Sequence, residues 1–224
     1  FYRCINLKEI NFPPKIKKID RNTFYKCKSL TKINIHSNIE KIEEYAFAYC
    51  SNLKKVYIHD KVNFVGNDAF IGCNNLEEAI FDSKLKELNN CVFDGCISLK
   101  KVVLKDNLKF INGYAFYKCI SLENIVLPKD LKILREGAFK KCSGLKEIVL
   151  NEGLIEIGDL AFQKCTKLTR IYIPRSVEII GYNVFKDCDN LKDIYFEVEK
   201  SKELYENLGV NCNIHYGVIR ERRG

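Results

Sequence analysis

Cysteine is the residue type in this chain best suited to chemistry, and there are 11 of them. A thiolate can attack carbon, pair into a disulfide or hold a soft metal. Nine recur at one spacing: Cys4, Cys27, Cys50, Cys73, Cys96, Cys119, Cys142, Cys165 and Cys188, each 23 residues from the last. Only Cys91 and Cys212 fall outside that series. A position copied at a fixed short period belongs to a repeat unit, so it argues against a single catalytic thiol. A nucleophile also needs a base and a group that orients it, and the chain has only 3 His. Stacked copies would bring Cα atoms about 4.8 Å apart, inside the disulfide range. Side chains in register keep Cβ atoms that far apart too, beyond the usual ~3.8 Å. The reading is therefore a column of small, buried, free thiols, with neighbouring disulfides as the alternative.

His36 and His59 share one repeat position, and Asp82 follows them in that column. A metal needs ligands converging on a point, and a column offers a row. These three are read as surface polar residues, with a weak metal site as the alternative. No His-Glu-x-x-His, Cys-x-x-Cys, Gly-x-Gly-x-x-Gly or Gly-x₄-Gly-Lys-Ser/Thr occurs. No cofactor, metal or enzymatic activity is expected.

Two columns could instead bind a partner. Ten residues after each Phe of the repeat stand Tyr57, Ile80, Val103, Val126, Val149, Tyr172 and Tyr195. This outward apolar column either stacks favourably on a pleated sheet or forms a docking stripe for a protein ligand. Lys55, Glu78, Lys101, Glu147, Arg170 and Asp193 flank it, and their mixed signs favour a protein over a phosphate track. Two residues after the Phe come Lys118, Lys141 and Lys164. They form a solvated edge or a site for a sulfated glycan, anionic lipid or nucleic acid.

The elements that position these residues follow from the rest of the unit. Phe1, Phe24, Phe47, Phe70, Phe93, Phe116, Phe139, Phe162 and Phe185 precede each Cys by three, and a Leu follows three after it. Apolar residues nine and eleven after the Phe, such as Val56 with Ile58, alternate as a short strand. Pro13, Pro128 and Pro174 end it. A pair eight and five before the Phe, such as Leu108 with Ile111, marks a second extended piece. Ala-Phe-x-x-Cys reads as one helical or 3₁₀ turn. Strands returning every 23 residues must stack in parallel, and each unit needs its neighbours to bury its apolar face.

The 224 residues, 46% hydrophobic and 29% charged, suit a folded chain and exclude disorder or a collagen-like fibre. A net charge of +8 is mild and does not by itself indicate nucleic acid. No apolar run is long enough to span a bilayer. The chain lacks an initiator Met and a secretory leader, as a processed form or a fragment would. Residues 1–196 read as a solenoid of nine units, the first truncated. Residues 197–216 read as a C-terminal cap, with a helix over Glu199–Leu208 and a strand through Cys212, Ile214 and Tyr216. Residues 217–224, with Arg220, Arg222 and Arg223, form a tail.

The clearest unit runs Leu168-x-x-Ile171-x-Ile173-Pro174-x-x-Val177-x-x-Ile180-Gly181-x-x-x-Phe185-x-x-Cys188. It resembles the BspA-like, Treponema-type leucine-rich repeat, and the resemblance extends over about residues 1–196. Ala79 and Cys91 are the weakest copies and mark the fourth and fifth units as irregular. The resemblance implies a leucine-rich repeat solenoid with a parallel sheet on one face, helical or 3₁₀ turns on the other and a helix–strand cap. It further implies a non-enzymatic cell-surface or secreted protein, adhesin-like, that binds a host matrix or other protein.

Overall fold

The computed structural model describes residues 1–198, 206 and 208–218. Each turn of the chain contributes two short strands. The front strands are Glu9–Ile10, Lys32–Ile33, Lys55–Ile58, Glu78–Phe81, Lys101–Val103, Asn124–Val126, Glu147–Val149, Arg170–Ile173, Asp193–Phe196 and Asn213–Tyr216. The back strands are two residues each: Lys18–Ile19, Lys41–Ile42, Phe64–Val65, Glu87–Leu88, Phe110–Ile111, Ile133–Leu134, Glu156–Ile157 and Ile179–Ile180. All recorded pairs are parallel, in a register that advances one 23-residue repeat, as in Tyr57↔Ile80 and Phe110↔Ile133. The result is a parallel β-solenoid of leucine-rich-repeat type, of about nine turns.

Side-chain alternation fixes what lies inside. In Lys55–Ile58, Val56 and Ile58 point inward and are buried, while Lys55 and Tyr57 point out. The back strands add Ile42, Val65, Leu88, Ile111, Leu134 and Ile157, all buried. Between the sheets the Phe rings stack nearly parallel from Phe1 to Phe185. Their centroids are 5.1–5.8 Å apart and their planes differ by 3–17°. From Phe24 onward every ring is fully buried, and each contributes roughly 1.5–3 kcal/mol by burial alone.

The Ala-Phe-x-x-Cys stretch differs from the expected helical turn, because it is built of stacked turns. Residues two before and two after the Phe have positive φ, as in Tyr45 (55°) and Tyr49 (59°), Tyr114 (57°) and Lys118 (58°). Left-handed residues at both ends prevent helical continuation. The hydrogen bonds alternate accordingly. Cys50 N–H donates within its turn to Phe47 O, whereas Phe47 and Tyr49 N–H donate to Ala69 and Ile71 O of the next turn. A ladder between turns thus replaces the bonds of a helix.

The irregularity expected around the fourth unit appears on the back face. The back ladder is interrupted between Phe64–Val65 and Glu87–Leu88. There the Asn89 side-chain amide donates to Val65 O at 2.7 Å, and the buried Ser83 hydroxyl lacks a partner. At the C-terminal end Phe185 N–H donates to Leu208 O, as Phe162 N–H donates to Val184 O one turn earlier. Leu208 is buried, so it stands in for the next turn. The helix expected over Glu199–Leu208 falls mostly on residues 199–205 and 207, outside the described residues, as do Arg220, Arg222 and Arg223. The strand expected around Ile214 forms as Asn213–Tyr216 and pairs with Asp193–Phe196. Among the described residues, no helix is long and apolar enough to cross a membrane.

Candidate functional site

The thiol column acts as a structural clamp. All 11 cysteines are free. From Cys27 to Cys188 each repeat thiol donates to a Phe carbonyl 26 residues back, at 3.0–3.3 Å. Phe24 O, for example, accepts from Cys27 N–H in its own turn and from Cys50 Sγ in the next. Both lone pairs of that buried carbonyl are thereby used. Burial pushes the thiols up, Cys188 to about 12 and Cys73 and Cys119 further. The column therefore holds protonated thiols, which are poor nucleophiles and poor metal ligands. Sequence spacing located the column but gave no reason for cysteine; the S–H···O bond supplies one.

His36 and His59 are likewise occupied by backbone. Asn38 and Lys61 N–H donate to Nδ1 of His36 and His59 at 3.2 Å. That assigns the ring proton to Nε2, which faces Pro13 O at 3.1 Å in His36 and His36 O at 2.9 Å in His59. Asp82 accepts from Tyr57 OH at 3.1 Å and pairs with Lys105 at 2.8 Å. Among the described residues, no group of three or more His, Cys, Asp or Glu could hold a metal ion.

The front column runs unbroken along the outer face. Tyr57, Val103, Val126 and Val149 are exposed, Val126 to 82%, and Ile80, Tyr172 and Tyr195 are partly covered. The cover on the last two is aromatic. Tyr172 stacks on Tyr195, and Tyr195 on His215, each pair 4.6 Å between centroids. His215 joins the column because Tyr195 pairs with it in register. Reading the sequence at intervals of 23 misses it, since this last step is 20 residues.

The flanking charges are neutralised within the chain. Glu78 bridges Lys55, at 3.1 Å, and Lys101, and hydrogen bonds from Lys101 and then Lys55 hold its carboxyl below the usual value. Asp193 is held low by His215, which it meets at 2.9 Å, and by Asn213. Arg170 and Glu147 are exposed beside Tyr172 and Val149. Lys55 and Lys101, read from sequence as contacts for a partner, therefore already hold Glu78 of this chain.

The lysine column lies elsewhere, along the edge of stacked turns. Lys118, Lys141 and Lys164 all occupy left-handed positions, with φ of 58°, 62° and 62°. Front column and lysine column stand on different sides of one unit, eight residues apart.

The family profile for the BspA type leucine-rich repeat region, six copies, matches residues 1–100 and 87–215. A leucine-rich repeat protein from Bacteroides ovatus is 34% identical, with a TM-score of 0.81 over 88% of this chain and 51% of that one. The chain thus spans about half the length of that relative. A leucine-rich cell surface protein from Faecalibacterium prausnitzii is 21% identical over 96% of this chain and 80% of its own, with a TM-score of 0.47. The leucine-rich repeat protein of T. pallidum is 23% identical over 84% and 85%, with a TM-score of 0.49. Curated proteins gave no match. Proteins of leucine-rich-repeat type are in general interaction modules, and typically they are not enzymes. With the profile spanning nearly all the repeats seen in the fold, this chain belongs to the BspA-type leucine-rich-repeat family.

Proposed function

We propose that this chain is a non-enzymatic docking module of a cell-surface or secreted, adhesin-like protein. It binds a protein ligand, such as a host matrix protein, through the front column from Tyr57 to Tyr195. Surface placement follows from the resemblance of the repeat. The binding face rests on one observation: seven apolar or aromatic residues stand outward in a row on a preset backbone, beside charges that neutralise each other. Contiguous exposed apolar surface marks interaction sites, and Tyr is enriched in them. The ladders fix the strands before any ligand arrives, so docking orders little chain and loses little entropy.

Because Glu78 already holds Lys55 and Lys101, the contact is apolar in character and insensitive to screening. The test is binding to a panel of immobilised matrix and plasma proteins across a salt series. The expected result is a ligand whose affinity changes less than about threefold between about 50 mM and 500 mM salt. Binding that collapses as salt rises, or no binding across the panel, would count against this face.

A further inference from the structure

We propose that Lys118, Tyr117 and Lys141, on the edge of stacked turns, form a clamp for the sulfate groups of a sulfated glycan chain. This site is independent of the front column. All seven cation–ring contacts seen among the described residues lie on this edge. Only at Tyr117 do ammonium groups of two successive left-handed positions, on a turn and on the one after it, meet over a single ring with no intervening carboxylate. Lys118 Nζ lies 5.0 Å from that ring centroid and Lys141 Nζ 5.2 Å. Their left-handed backbone positions hold both stems in adjacent turns. Among the described residues neither makes an ion pair, whereas Lys164 one turn on reaches Asp187 at 4.0 Å.

Two like charges brought together repel, and the electron-rich ring face offsets only part of that. What the pair lacks is an anion. Two ammonium groups and a phenol hydroxyl give several donors around a small volume, which matches a tetrahedral oxyanion. Tyr117 already bonds to Lys141, and its phenol is held below the usual value for that reason first. Lys164 extends the row by one turn, so the edge repeats its charge along the solenoid axis, as a sulfated polymer does. Exposed Ile97 and Ile120, at the tips of the same turns, offer apolar surface to sugar C–H groups. Single-stranded nucleic acid is the poorer fit, because the ammonium groups already occupy the Tyr117 ring that a base would need for stacking.

The experiment is calorimetric titration of the chain with a defined, fully sulfated heparin-type octasaccharide at about 50 mM and 300 mM salt. The parent chain should bind, more weakly at the higher salt. Lys118→Gln/Lys141→Gln should weaken binding about tenfold or more with an unchanged melting temperature. Asp94→Asn should tighten binding, because Asp94 lies within electrostatic reach of Lys118. Lys100→Gln, whose lysine pairs with Glu77, should change nothing, and neither should Val126→Lys on the front column. No binding of the octasaccharide would overturn the assignment, as would an equal loss in Lys100→Gln. Tighter binding to phosphatidylglycerol vesicles or to an oligothymidylate than to the glycan would overturn it in favour of a membrane or a nucleic acid.

Discussion

At the residue scale, the same unit places chemically different side chains by one rule: the position in the repeat decides the environment. Phe116 is fully buried between Phe93 and Phe139, with ring centroids at 5.6 and 5.1 Å. Phe116→Ala leaves a cavity in a ladder fixed on both sides, and should cost about 3–5 kcal/mol in denaturant unfolding. A loss under about 1 kcal/mol would mean the ladder is not packed as described. Asp94 shows the opposite case, a charge partly drawn out of water. Burial raises its carboxyl to about 6, Lys118 opposes the shift, and Asp68 adds to it. Folding therefore takes up a proton between about pH 4 and 6. The stability tied to the protonated acid is present below its ordinary value and is lost as pH rises through about 6. Asp94→Asn should remove that loss and be more stable than the parent at pH 7.5. The gain should be about 1 kcal/mol, after discounting for partial exposure, and smaller at pH 5. Thermal melts at the two pH values decide it; an equal or lower melting temperature for the variant at pH 7.5 contradicts the environment given to Asp94.

At the element scale, the strands were legible in the sequence and the turns were not. Val56 with Ile58 alternates across a front strand, and Leu108 with Ile111 marks a back piece, because burial on one side imposes a period that residue types reveal. Nothing in residue type announced the left-handed positions at Tyr45, Tyr114 or Leu160. Such residues disfavour φ > 0 when isolated, and only bonds to the next turn, such as Tyr114 N–H to Glu136 O, hold them there. Tertiary context thus overrode the local preference for a helical turn. The turn also explains its cysteine. The buried thiols donate across turns, so Ellman-type titration of the native chain should find Cys4 reactive, Cys91 and Cys212 slower, and Cys50 to Cys188 of the repeat series silent. In denaturant without reductant all 11 should react. Fewer would reveal disulfides and refute the clamp.

At the scale of the whole molecule, periodicity in the sequence was enough to find the outward column, because each front strand repeats the last in register. The pairing of Lys55 and Lys101 with Glu78 was hidden, since residues 23 apart become neighbours only after coiling. His215 was hidden for the converse reason, a final turn of different length. Together these corrections turn the face from a mixed-charge surface into an apolar stripe bordered by satisfied charges, with its most open point at Val126. Val126→Lys places a charge there without disturbing Ile125 or Leu127, which point inward and are buried. The decisive measurement is the affinity of Val126→Lys for the ligand of the parent chain, taken with its melting temperature. The account predicts a loss of at least about tenfold, roughly 1.4 kcal/mol, with the melting temperature within about 2 °C of the parent. Undiminished affinity in a chain that melts like the parent would contradict it.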